Sequence, residues 1–159
     1  MRKVMRILSA LTLGLALLFV FPTPASADSV TWGWGDNHRL CRTDPSCVRV
    51  GNVVRLWQAI AVNALALPYE FIDGDYGPAT EQATSRMFNG RTTVEPSMWQ
   101  HIEAGIRYHS GDCPGSTEYY KWTVRTEYGY DNTLDLRMAC TGVWSFFNPR
   151  TWAWTGTGH

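Results

Sequence analysis

The chain has 159 residues, with 14 basic and 14 acidic side chains, and it contains eight Trp and seven Tyr. Because the charge is balanced and no basic stripe is present, the composition does not favour binding to nucleic acid or to an anionic membrane. The aromatic residues are enough to build a small core, and they also suit the binding of sugars or peptides.

The N-terminus has the pattern of a secretory signal peptide. Three basic residues precede an apolar run at positions 7–21, and an A-x-A site ends at Ala27. The run is shorter than the roughly 20 residues that span a bilayer comfortably, which favours cleavage over membrane anchoring. Cleavage after Ala27 leaves 132 residues and lowers the basic count from 14 to 11 against 14 acids, a net charge of −3. We therefore expect a secreted protein, not associated with the membrane after cleavage.

The mature chain contains an even number of cysteines. They are Cys41, Cys47, Cys113 and Cys140. An even count in a small exported chain predicts two disulfides, although four cysteines allow three pairings. An Asp-Pro turn signal lies between the first two, which favours Cys41–Cys47 and leaves Cys113 with Cys140. Since no C-x-x-C or paired Cys/His spacing is present, we expect no metal and no cofactor.

The middle of the chain predicts three short helices. Apolar residues recur at helical spacing between positions 52 and 67, with Asn52 as the expected N-cap and Pro68 beyond the end. A second helix is predicted from Pro78 to an Asn-Gly stop at 89–90, and a third from Pro96. The third helix would turn Trp99, Ile102 and Ile106 toward the core of a bundle.

After Tyr108 the hydrophobic pattern changes to period two. Alternation in residues 116–125 and 134–140, with Y-G-Y-D-N between them, predicts a β-hairpin. A further short strand is predicted in R-T-W-A-W-T-G at 150–156, and V-T-W-G-W-G at 30–35 has a similar Trp-rich alternation. We expect these two Trp-rich segments to pair or pack together.

The stretch F-I-D-G-D-Y-G-P-A-T-E-Q-A-T at 71–84 has two acids between glycines. A calcium loop that began at Asp73 would need ligands at positions 77 and 84, which are Gly and Thr, and a phosphate loop would need Gly-Lys-Ser/Thr. Turn chemistry fits better: Asp73 can accept from backbone N–H groups ahead of it, and Gly74 and Gly77 can supply positive φ before Pro78 opens a helix.

Taken together, these motifs resemble the three-helix peptidoglycan-binding domain that accompanies many bacterial cell-wall hydrolases. The resemblance spans about residues 51–102 and rests on V-x-x-W-Q at 54–58, D-G-D-Y-G-P-A-T at 73–80 and V-E-P-S-M-W at 94–99. Three features depart from the family: Met87-Phe88 replaces Phe-Gln, Thr92-Thr93 replaces a second Asp-Gly, and Glu95 replaces a glycine. In this family the Asp-Gly loop is mainly scaffold, which implies a structural role for Asp73, Gly74, Gly77 and Pro78.

The resemblance and the patterns together predict an α+β protein with a small helical bundle followed by a strand-rich, disulfide-tied module. The predicted divisions are a signal peptide (1–27), an N-terminal segment with the local disulfide loop (28–50), a peptidoglycan-binding-like helical domain (51–106) and a β-rich C-terminal module (107–159). The groove candidates are Tyr76, Thr80 and Trp99.

The implied function is non-catalytic binding of peptidoglycan, through its glycan or stem peptide, by a secreted, cell-wall-associated monomer. No catalytic constellation was found: H-S-G-D-C at 109–113 is only a faint match to a transpeptidase nucleophile motif, and Cys113 has a disulfide partner. Two alternatives stay open. One is a small cell-wall hydrolase or transpeptidase-like enzyme with its site in the C-terminal part. The other is an exported structural or inhibitor protein that kept the fold and lost the ligand.

Overall fold

The computed structural model describes residues 33–34, 39–126 and 128–157, so the predicted signal peptide lies outside the described residues. The helices are α1 (Asn52–Leu65), α2 (Pro78–Met87) and α3 (Pro96–Glu103), with a 3₁₀ turn, Tyr69–Phe71, after the first. The strands are β1 (Ile106–Ser110), β2 (Glu118–Arg125), β3 (Asp131–Met138), β4 (Trp144–Asn148) and β5 (Ala153–Gly156). The α+β class is confirmed. In the described part of the chain, no helix is long and apolar enough to cross a membrane.

The helix starts follow the local sequence. α2 and α3 begin at Pro78 and Pro96 as predicted, because the fixed φ of proline suits the first turn and its missing N–H needs no partner there. α1 differs by one residue: Asn52 is its first residue, and Gly51, with φ of 117°, is the cap. The helix stops where Ala66 adopts the left-handed conformation, with φ of 51°.

The prediction that Ile106 closes the third helix is wrong. α3 ends at Glu103, and Ile106 begins β1, where it pairs with Trp122. Gly105 allows this change of direction, since a Cβ at that position would lie 2.8 Å from Nε1 of Trp122. The predicted division between residues 106 and 107 therefore falls inside β1.

The five strands form one antiparallel sheet in sequential order, β1-β2-β3-β4-β5. The predicted hairpin is confirmed, with β2 and β3 paired from Glu118–Met138 to Arg125–Asp131, and the predicted C-terminal strand is β5. The alternation in the sequence corresponds to the two faces of the sheet, since the paired Trp122 and Leu134 are both buried.

The helices and the sheet share one hydrophobic core. Trp34 is buried at its centre, with ring centroids 6.0 Å from Trp99 of α3 and 5.6 Å from Trp144 of β4. Polar contacts also cross this interface: Arg150 Nη1 donates to the Ile72 carbonyl at 2.7 Å. Of the Trp-rich segment at 30–35, only residues 33 and 34 are described, and these two ring partners of Trp34 lie outside the C-terminal Trp-rich segment with which it was predicted to pack.

Both predicted disulfides are confirmed, each with a Cα–Cα distance of 5.5 Å. Cys41–Cys47 closes a loop in which the Asp44 carboxylate accepts from the Ser46 backbone N–H at 2.9 Å, and this bond lowers the pKa of Asp44. The second bond joins Cys113, in the β1–β2 connection, to Cys140 just after β3. It therefore encloses the β2–β3 hairpin.

Candidate functional site

The loop between the 3₁₀ turn and α2 is built around the buried side chain of Gln58, which belongs to the V-x-x-W-Q motif. Its Nε2 donates to Asp73 Oδ1 at 2.7 Å, and its Oε1 accepts from the Gly74 N–H at 2.8 Å. Nε2 also lies 2.9 Å from Thr80 Oγ1 on α2. One amide from α1 thus joins the Asp-Gly loop to the start of the next helix.

The predicted turn chemistry holds at two positions of this loop and fails at a third. Asp73 Oδ1 accepts from the Asp75 N–H at 2.8 Å, and Gly74 has φ of 84°. The prediction of positive φ at Gly77 is wrong, because its φ is −85° and its ψ is −173°. Gly77 is extended because it precedes Pro78, and proline disfavours the helical region for the residue before it.

The three residues that were predicted to line a groove are buried. Relative exposure is 0% for Tyr76, 2% for Thr80 and 0% for Trp99. The Tyr76 hydroxyl lies 2.8 Å from Thr84 Oγ1, and burial raises the pKa of Tyr76 to about 12. The Trp99 ring contacts Trp57 at a centroid distance of 5.0 Å. These side chains pack the helical part of the core.

An open groove lies between the end of α2 and α3, with a volume of about 640 Å³. Its lining residues are Met87, Phe88, Asn89, Arg91, Ser97, Met98 and His101. The half-buried Phe88 stacks on Trp57 with a centroid distance of 5.7 Å, and it meets the exposed His101 edge-to-face at 5.9 Å. The ring of Phe88 therefore forms an aromatic floor in a groove whose other lining is mostly polar, and this ring rests directly on the buried Trp cluster.

The lining of this groove carries positive charge. Arg91 and His101 are its ionisable lining residues, and no acid lines it. Two acids are nearest along the chain: Glu95 is paired with Arg39 at 3.0 Å, and Glu103 accepts from the Trp34 N–H at 3.3 Å. A carboxylate or another anion would thus meet little repulsion there.

Sequence reasoning did not select Phe88, Arg91 or His101 as site residues. One signal was present, because Met87-Phe88 is where the chain departs from the family pattern. The departure puts an aromatic ring at the floor of the groove.

The H-S-G-D-C thiol is not free in this structure. Cys113 is bonded to Cys140, so no thiolate is available for nucleophilic attack. His109 lies exposed on β1. Within the described ranges, no group of three or more His, Cys, Asp or Glu side chains is arranged to hold a metal ion.

Comparison of the chain with protein-family models, with curated proteins and with solved structures found no match. The likeness to peptidoglycan-binding domains therefore stays a prediction from the motifs at 51–102.

Proposed function

We propose that the chain is an exported, non-catalytic protein that binds peptidoglycan in the groove between α2 and α3. The observation that carries the proposal is the groove itself: an open site with an aromatic floor and a cationic rim on the unit that has the D-G-x-Y-G-P-x-T pattern. The buried Gln58 network supports it, because it gives the Asp-Gly loop the scaffold role that the resemblance implies.

The lining chemistry fits fragments of a cell wall. The faces of aromatic rings carry negative potential and attract the C–H groups of a sugar ring or of an alanine methyl. Phe88 supplies such a surface, and the exposed Asn89 and Ser97 can bond hydroxyl or amide groups. Arg91 can pair with a stem-peptide carboxylate through a charge-assisted hydrogen bond.

Export is proposed on two grounds. The N-terminal 27 residues have the pattern of a signal peptide. The two disulfides fit an oxidising compartment. If the chain is expressed in a host that exports it, the secreted protein should begin at Asp28, which mass spectrometry will show.

Sedimentation with purified sacculi tests the binding function. The secreted, oxidised protein should pellet with sacculi and release no dye from labelled wall. Arg91→Ala should weaken this binding about tenfold, as expected for one charge-assisted contact. Arg42→Ala is the matched control, since Arg42 lies outside the groove and pairs with Glu81 at 3.2 Å. Equal sedimentation with and without sacculi would refute the binding role, and dye release would identify a hydrolase instead.

A further inference from the structure

The outer face of the sheet carries a line of aromatic rings that lie outside the hydrophobic core. The helices pack on the inner face, where Trp122 and Leu136 are buried. On the other face, the rings of Tyr119 and Trp154 have centroids 6.0 Å apart, and Phe147 lies 5.8 Å from Trp154. Tyr119 is exposed, whereas Phe147 and Trp154 are partly buried, and contiguous aromatic surface that stays open to solvent marks interaction sites.

The line ends at Trp152, whose ring lies 6.2 Å from Phe147. This residue combines two costly features, since its side chain is 76% exposed and its backbone has φ of 54°. Left-handed backbone is unfavourable for a residue with a bulky side chain, and such positions cluster where a protein contacts a ligand.

A depression of about 360 Å³ opens beside the aromatic line. Tyr119 and Trp154 form its aromatic walls, and Lys121 and Asp135, opposite each other on β2 and β3, supply charges of both signs. His109 adds a further hydrogen-bonding group. Aromatic walls with a few convergent polar groups are the usual composition of a small-ligand site.

The face around this depression is cationic, although the whole chain has equal numbers of basic and acidic residues. The outward charged residues of β1, β2 and β3 are Arg107, Lys121, Arg125, Arg137, Asp131 and Asp135, by strand register and burial. Four cations against two anions favour a negatively charged ligand. In the described part of the chain, the Lys121 ammonium has no partner, so it is available to one.

These features distinguish an acidic sugar from a nucleic acid. Stacked bases need ring faces that are open and similarly oriented. Here the neighbouring rings meet at 64° and 75°, and the Arg137 guanidinium lies 4.6 Å from the centre of the Trp154 ring. The Asp135 carboxylate is a good acceptor for sugar hydroxyls, and a glycan strand offers many of these.

We propose that this depression is a second binding site, which takes a carboxylate-bearing glycan strand. Lys121 pairs with the sugar carboxylate, Asp135 accepts from ring hydroxyls, and the sugar C–H groups pack against the exposed ring of Tyr119. The inference rests on the proposed wall binding and deepens it, because the chain then holds glycan at the sheet and a separate part of the wall at the α2–α3 groove.

Calorimetric titration with peptide-free oligosaccharides tests this site. The probe is a hexasaccharide of alternating N-acetylglucosamine and N-acetylmuramic acid, and chitohexaose is its neutral counterpart without the carboxylates. The acidic probe should bind at least about tenfold more tightly than chitohexaose, and added salt should reduce the difference. A thymidine oligonucleotide should not compete.

The variants separate this site from the groove. Lys121→Ala, an exposed change that leaves the fold intact, should weaken binding of the acidic probe about tenfold, and Tyr119→Ala should also weaken it. Tyr128→Ala, a change at an exposed aromatic residue outside the depression, is the matched control and should leave it unchanged. Equal affinity for the two sugars, competition by the oligonucleotide, or no effect of Lys121→Ala would overturn the proposal. If Arg91→Ala loses sacculus binding and Lys121→Ala does not, the result supports the groove site and contradicts the sheet site.

Discussion

Replacing Gln58 with leucine is the sharpest perturbation of the helical scaffold. The two side chains have similar volume, so the change removes hydrogen bonding and leaves packing nearly intact. It removes the donor to Asp73 Oδ1, at 2.7 Å, and the acceptor for the Gly74 N–H, at 2.8 Å.

The size of the effect follows from which partners can re-pair. Asp73 keeps the Asp75 N–H, and the Thr80 hydroxyl keeps the Asp75 carbonyl at 3.2 Å. The buried Gly74 N–H loses its side-chain partner, which costs about 1–3 kcal/mol, and a hydrogen bond to a carboxylate contributes about 1.5–3 kcal/mol. Leucine recovers part of this because it needs no hydrogen bonds, so we expect a loss of about 3 kcal/mol in the free energy of unfolding.

Urea denaturation followed by tryptophan fluorescence measures this loss by linear extrapolation. Gln82→Leu on the exposed face of α2 is the matched control and should change the free energy by no more than about 0.5 kcal/mol. If both variants unfold at the same urea concentration as wild type, the Gln58 network does not hold the loop.

Three further perturbations test other parts of the fold. Gly74→Ala should cost about 1–3 kcal/mol because its φ is 84°, whereas Gly77→Ala should cost less than about 1 kcal/mol; equal urea midpoints would contradict this. Replacing Cys113 and Cys140 with serine should cost about 3–4 kcal/mol for a separation of 27 residues. Because the core is shared, near- and far-UV circular dichroism should show one common transition, and a helical signal that outlasts the sheet would show independent units. The pKa of Tyr76 is about 12 in the folded state and about 10 in the unfolded state. Between these pH values the folded state binds the extra proton, so the free energy of unfolding should fall as the pH rises from 10 to 12. The total decrease should be at most about 3 kcal/mol. Tyr76→Phe should reduce that slope in alkaline denaturation, and an unchanged slope would contradict the assignment.

Features set by local sequence were predictable. The β2–β3 hairpin follows from period-two alternation with a turn between, and the helix starts at Pro78 and Pro96 follow from the geometry of one residue. Cys41–Cys47 was predictable because a turn signal lies between the two cysteines.

Features set by tertiary contacts were not. β4 escaped prediction because Phe146 and Phe147 are adjacent apolar residues that point to opposite faces, which hides the alternation. β1 is an edge strand whose residues after Ile106 are exposed, so it carries little hydrophobic pattern. Tyr76 was predicted to line a groove because a sequence motif does not show whether a side chain faces the solvent or the core, and in the structure Tyr76 is buried.

The central claim is that the α2–α3 groove holds peptidoglycan, and a nuclear magnetic resonance titration tests it most directly. Soluble disaccharide–peptide fragments of the wall would be added to ¹⁵N-labelled, oxidised protein while the backbone amide shifts are followed. The account predicts saturable shifts at Phe88, Arg91 and His101, with Arg42 unchanged. No saturable shift at these three groove amides, whether or not other amides respond, would contradict it.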